Sequence, residues 1–141
     1  MGKRLYVATR YEVEYDSSAG FNWHWNEFKK LLMCLNVSVY DVEAEYTDGY
    51  GDNWECPMNE FNAALDFLKE YKNVIKGCED SDMSIELDGN YIYLSDVYDG
   101  IMSLECAESY DESVAEVISM MELYKEQCAK GDNDYMHFTA F

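Results

Sequence analysis

Hydrophobic and polar positions alternate from the start of the chain. Leu5, Val7, Thr9, Tyr11, Val13 and Tyr15 fall on one side of an extended chain; Arg4, Tyr6, Ala8, Arg10, Glu12 and Glu14 fall on the other. That two-residue period predicts a strand, which "DSSAG" interrupts. The period then changes. Trp25, Phe28, Leu31, Leu32 and Leu35 sit at helical spacing and predict a first helix over Trp25–Leu35, with Asn36 as its stop. Alternation returns in "VSVYDVEAEY", with Tyr40, Val42, Ala44 and Tyr46 against Asp41, Glu43 and Glu45.

A loop, "TDGYGDNWEC", leads to Pro57, which suits the first turn of a helix. Met58, Phe61, Leu65, Leu68 and Ile75 mark the core side of this second helix, which the pattern carries to about Asn73, and Gly77 ends the region. Residues 83–106 read as a three-stranded meander, with Gly89-Asn90 and Asp99-Gly100 as turn signals. In its first hairpin Ile85, Leu87, Ile92 and Leu94 share one face, and Glu86, Asp88, Tyr91 and Tyr93 the other. The second hairpin fits less well, because it sets Glu105 across from Leu94; a bulge near Ser95–Val97 would repair it, unless one turn is misplaced.

Ser109–Glu112 is a capping-box pattern. It opens a third helix to about Cys128, with Val114, Val117, Ile118, Met121 and Tyr124 inward. "YMHFTAF" ends as a strand. The predicted order is β-α-β-α-β-β-β-α-β. This is an α+β fold: one mainly antiparallel sheet of about five to six strands with three helices packed on it.

Composition is consistent with one packed domain over residues 1–141. Hydrophobic residues make up 48% and aromatics 16%, with a single proline and no Gly/Ser-rich linker. That content argues against disorder. No run of 18 apolar residues is present, and the N-terminus lacks a secretory pattern, so the expected location is cytoplasmic. The five cysteines include no C-x-x-C pair, and reduced, mostly buried thiols are expected.

Charge changes the picture most. The net charge is -19, from 29 acids and 10 bases. Solubility of a small domain needs a magnitude of only about 2–8, and the excess destabilises the folded state by self-repulsion. Such a surface repels nucleic acid and anionic membranes and attracts proteins that normally bind them. Salt adaptation would also give an acidic surface, but this chain keeps five Cys, 13 Tyr and many bulky aliphatics.

The acids are segregated. Leu31–Leu68 holds eight acids and no base, and Gly77–Tyr124 holds thirteen acids and no base. Glu12/Glu14, Glu43/Glu45 and Glu86/Asp88 are i,i+2 pairs on predicted strands, each about 6.7 Å apart along the strand. If those strands are neighbours about 4.8 Å apart, their carboxylates form a grid comparable to duplex DNA, with its charge per roughly 1.7 Å.

Metal and catalytic motifs are missing. Neither Asp48 nor Asp80 starts a calcium loop, because the sixth position is Asn53 or Ile85 where glycine is required. Only His24 and His137 are available for zinc, and neither has a ligand partner nearby in sequence. There is no G-x-S-x-G, phosphate loop or H-E-x-x-H. The expectation is therefore no enzyme, no cofactor and no metal.

In size, charge and lack of a catalytic motif the chain resembles the acidic nucleic-acid mimics of phages and mobile elements, such as anti-restriction and anti-CRISPR proteins. The resemblance is one of character, and it implies an inhibitor or decoy that blocks a basic nucleic-acid-handling protein, such as a CRISPR effector or restriction enzyme. An immunity or antitoxin protein against a basic toxin uses the same physics; an adaptor or small enzyme is the third class. The candidate contacts are the carboxylates Glu12, Glu14, Asp41, Glu43, Glu45, Asp48, Asp52, Glu55, Glu86 and Asp88. Tyr50, Trp54, Tyr91 and Tyr93 join them, since aromatics beside charge favour interfaces.

Overall fold

A computed structural model describes residues 5–8, 13–18, 25–42, 52–87, 89–128 and 134–140. The elements are β1 (Leu5–Ala8), β2 (Val13–Ser18), α1 (Trp25–Cys34), β3 (Tyr40–Asp41), β4 (Asp52–Pro57), α2 (Met58–Lys76), β5 (Ser84–Leu87), β6 (Asn90–Tyr93), α3 (Leu94–Ser103), α4 (Tyr110–Cys128) and β7 (Tyr135–Ala140). The class is α+β, as the pattern predicts, and the described residues hold four helices rather than three. Its strands form two antiparallel sheets, one ordered β2-β1-β7-β4-β3 and the other a β5–β6 hairpin.

Residues 16–18, read as the start of a break, belong to β2, and of the strand expected over 37–46 only Tyr40–Asp41 is a strand among the described residues; three larger assignments also change. The long first strand is two short ones, β1 and β2, paired antiparallel with a register irregularity between Tyr6 and Val7. Part of the expected loop before Pro57 is strand β4, an internal strand between β3 and β7. Its Gly- and Asp-rich approach reads locally as turn chemistry, whereas pairing on both sides comes only from the assembled sheet. The third strand of the meander is helix α3. Leu94, Val97 and Ile101 are fully buried at a three-then-four spacing that fits one helix face. The awkward second hairpin was the mark of the wrong period.

The first hairpin of the meander stands. Ile85 lies opposite Ile92 and Glu86 opposite Tyr91, so these four keep their expected faces, but Leu94, expected beside Ile85, instead begins α3, Leu87 is exposed, and Asp88 lies outside the described residues. The chain reverses between Leu87 and Asn90, and Gly89 takes φ 82, a conformation glycine adopts without penalty. This register differs by two residues from a Gly89-Asn90 turn; an even shift leaves Ile85, Glu86, Tyr91, Ile92 and Tyr93 on their predicted faces.

Helix boundaries follow local chemistry. Asn36 adopts φ 63; its N–H donates to the Met33 carbonyl, and the Val37 N–H to the Leu32 carbonyl. This is the paired hydrogen-bond pattern of a Schellman stop, and buried Val37 and Leu32 add its apolar contact. Pro57 caps α2, and the Met58 N–H bonds the Asp134 carbonyl at 2.8 Å. Ser109 Oγ accepts the Glu112 N–H at 3.2 Å, as the capping box predicts.

The core joins one face of the large sheet to all four helices. Phe28, Leu31 and Leu32 come from α1, Phe61, Leu65 and Leu68 from α2, Val117, Met121 and Tyr124 from α4. Trp54 and Phe138 stack at 4.3 Å with 19° between rings, and Phe28 and Tyr124 meet Phe138 edge-on at 6.1 Å and 5.9 Å. Such pairs stabilise by about 0.5–1.5 kcal/mol beyond area burial.

Candidate acidic and aromatic interface

The expected carboxylate grid does not assemble from neighbouring strands. Strand β2, which carries Glu14, and strand β3, which carries Asp41, form opposite edges of the five-stranded sheet, about 19 Å apart at four strand spacings. Glu86 belongs to the other sheet. Asp41 is exposed, but Lys29 Nζ holds its carboxylate at 2.7 Å. Glu12, Glu43, Glu45, Asp48, Tyr50 and Asp88 lie outside the described residues.

The loop aromatics and acids also divide. Trp54 is fully buried and belongs to the core, so it is no surface contact. Glu55 is half-buried and meets His137, its cross-strand partner, at 3.3 Å between Oε2 and Nδ1. Asn53 and His137 are buried on that same side of the sheet, so it is not an open carboxylate face. Asp52 begins β4.

What the structure brings together is the solvent face of the β5–β6 hairpin. Tyr91 and Tyr93 are more than half exposed, and Glu86 is paired directly with Tyr91. Cross-strand side chains lie about 4.5–5.5 Å apart at Cβ, so a carboxylate sits beside two accessible rings. Ile92 is buried beneath and joins the hairpin to the core, and the Leu94 N–H bonds the Met83 carbonyl at 3.0 Å, which extends the hairpin ladder by one pair.

A larger acidic surface flanks it. Of the thirteen acids between Gly77 and Tyr124, Asp88 alone is undescribed, and every other one is exposed. Asp96 and Asp99 lie three apart on α3, and Glu112 and Glu116 four apart on α4. Like charges four apart destabilise a helix by about 0.2–0.5 kcal/mol. Among the described residues, α2 supplies ion pairs to two of these acids: Lys76 to Asp111 at 2.7 Å and Lys69 to Glu122 at 2.9 Å. The sequence pattern located this charge, but the strand-based grid drew attention away from the helices.

Behind the hairpin lies a cavity of about 290 Å³ between the end of α1, the start of α2 and β6. Its apolar lining includes Leu35, Phe67 and Ile92; Glu60, Asn36 and Asn90 supply polar groups. Glu60 Oε1 accepts the Ser38 N–H at 2.8 Å. Sequence reading missed this site, because its walls come from three separate elements and no local motif marks it.

Two of the thiols are poorly disposed to react. Burial, then the Asp96 charge, raises the Cys34 pKa, and burial, then the Glu116 charge, pushes Cys106 up to about 11. Nucleophilic cysteines need the opposite shift. Among the described residues no cluster of three His, Cys, Asp or Glu side chains is placed to hold a metal ion, and no helix is long and apolar enough to cross a membrane. No protein-family model, curated protein or solved structure matches the chain.

Proposed function

We propose that this protein is an acidic inhibitor or decoy that occupies the nucleic-acid site of a basic protein. The observation that carries the reading is the exposed acidic surface of residues 79–116, a segment without Lys or Arg that is spread over the hairpin, α3 and α4. Carboxylates there stand in for phosphates and pair with Arg and Lys of the target. The charge raises the association rate. Tyr91 and Tyr93 add cation–π contact with Arg, beside Glu86.

The test is capture of partners from a cell lysate on the immobilised protein, followed by elution with duplex DNA, RNA or salt. Expected is a basic nucleic-acid-binding protein that nucleic acid displaces and that salt weakens, since charges beyond about 8 Å are screened at physiological ionic strength. Combined Asp96→Lys, Asp99→Lys, Glu112→Lys and Glu116→Lys should abolish capture while leaving the circular dichroism spectrum intact. A partner that resists both salt and nucleic acid would refute the proposal.

A further inference from the structure

We infer that the cavity behind the β5–β6 hairpin is a socket for one arginine side chain of the partner. The inference rests on the reading of that partner as basic, and deepens it by adding a specific pocket to a diffuse surface. The cavity, about 290 Å³, stands at the bottom of the roughly 300–1,000 Å³ range of small-molecule sites. That size suits a single side chain better than an extended ligand.

Its chemistry is divided as an arginine is. Leu35, Phe67 and Ile92 offer apolar surface for the methylene stem, which long basic side chains bury readily. Glu60 offers the counter-charge. The Ser38 N–H takes one lone pair of its Oε1 at 2.8 Å and holds the carboxylate in place, leaving Oε2 for a guanidinium. Asn36 and Asn90 add amide groups at the rim. Arginine fits this better than lysine: its planar head is more weakly hydrated and spreads five donors over several acceptors, here the Glu60 carboxylate and the amides of Asn36 and Asn90.

Position supports the same occupant. Leu87 and Ile92 of the hairpin line the cavity, while Tyr91, Tyr93 and Glu86 occupy the alternate positions of the same strands. A basic segment that meets the tyrosines is therefore one hairpin thickness from the socket.

The probe is N-acetyl-arginine methylamide, titrated into the whole protein and followed by amide chemical shifts. The norleucine and lysine analogues serve as comparators. Expected is saturable binding with a dissociation constant on the order of 1 mM, centred on Asn36, Ser38 and Asn90, with lysine weaker and norleucine weakest. Glu60→Gln keeps an acceptor for the Ser38 N–H and should weaken arginine binding at least about tenfold, the loss of a charge-assisted hydrogen bond. Ala63→Leu fills the cavity from an exposed helical position, where leucine is a good helix former, and should abolish binding without lowering the melting temperature.

Equal binding of norleucine and arginine, shifts confined to α3 and α4, or no saturable shift would overturn the socket. The decoy reading is judged separately, by the charge-reversal variant and displacement by nucleic acid, neither of which involves the cavity.

Discussion

Two buried tyrosines show how differently one residue type is used. The Tyr110 hydroxyl donates to the Lys72 carbonyl at 2.7 Å and ties α4 to α2. The Tyr124 hydroxyl is buried and has no hydrogen-bond partner among the described residues. Tyr110→Phe should therefore lower stability by about 1 kcal/mol, whereas Tyr124→Phe should raise it by about 1 kcal/mol, because an unmet buried polar group is costly. Thermal melts of the two variants should shift in opposite directions.

Both tyrosines hold their protons more tightly than in the unfolded chain. Burial, then the Asp111, Tyr98 and Cys78 charges, raises Tyr110; burial, then the Cys106 and Glu116 charges, raises Tyr124. Cys106 shifts the same way, from 9.0 to about 11. Above the unfolded values of 9.0 for Cys106 and 10.0 for the tyrosines, the unfolded state loses protons that the native state keeps. The unfolded state then binds fewer protons, so stability falls as pH rises. Denaturant midpoints should hold steady up to about pH 9 and decline beyond it, less steeply in Tyr124→Phe. A midpoint that rises between pH 9 and 11 would contradict this assignment.

At the scale of elements, α3 is where local signals misled. Asp99-Gly100 has the composition of a tight turn, yet Gly100 lies inside a helix. A Cβ there would stand 3.0 Å from Leu31 Cδ1 and 3.5 Å from Leu31 Cβ. The glycine is present because α1 and α3 approach closely, not because the chain reverses. Gly100→Ala should stay within about 1 kcal/mol of the parent, since the end of the Leu31 side chain can shift and alanine favours helix. Gly100→Val should cost about 1–3 kcal/mol by overpacking. Urea midpoints distinguish the two; equal tolerance would mean that α1 and α3 are not in close contact.

Strand β4 makes the complementary point. Its alternation, Trp54 and Cys56 inward against Asn53 and Glu55, lies in a stretch dense with turn-forming residues. Pairing with β7 and stacking on Phe138 override that local tendency. Trp54 thus moved from candidate contact to core, and Glu55 from free carboxylate to partner of His137.

For the whole molecule, the charge of -19 acts against folding as well as toward a partner. Raising sodium chloride from about 10 mM to 150 mM shortens the screening length from roughly 30 Å to 8 Å and should raise the melting temperature by a few degrees. Partner affinity should fall over the same range, so salt moves stability and binding in opposite directions. A melting temperature that falls with salt would show that the acids are stabilised by ion pairs instead of repelling one another.

Features that depend on local order were legible along the chain. Helical periods mark α1, α2 and α4 and most of their core positions, with Met58 and Ile118 only partly buried; the capping serine, Asn36 and Gly77 mark boundaries through backbone chemistry confined to a few residues. Strand alternation fixed which side of the hairpin carries Glu86, Tyr91 and Tyr93, and counting alone showed the base-free acidic windows. Only the tertiary structure decided which strands are neighbours, that Trp54 is core, that Gly100 serves a helix crossing, and that Glu60 meets Asn36 and Asn90 around one cavity. Those facts depend on contacts between segments far apart in the chain, whose spacing no local pattern encodes.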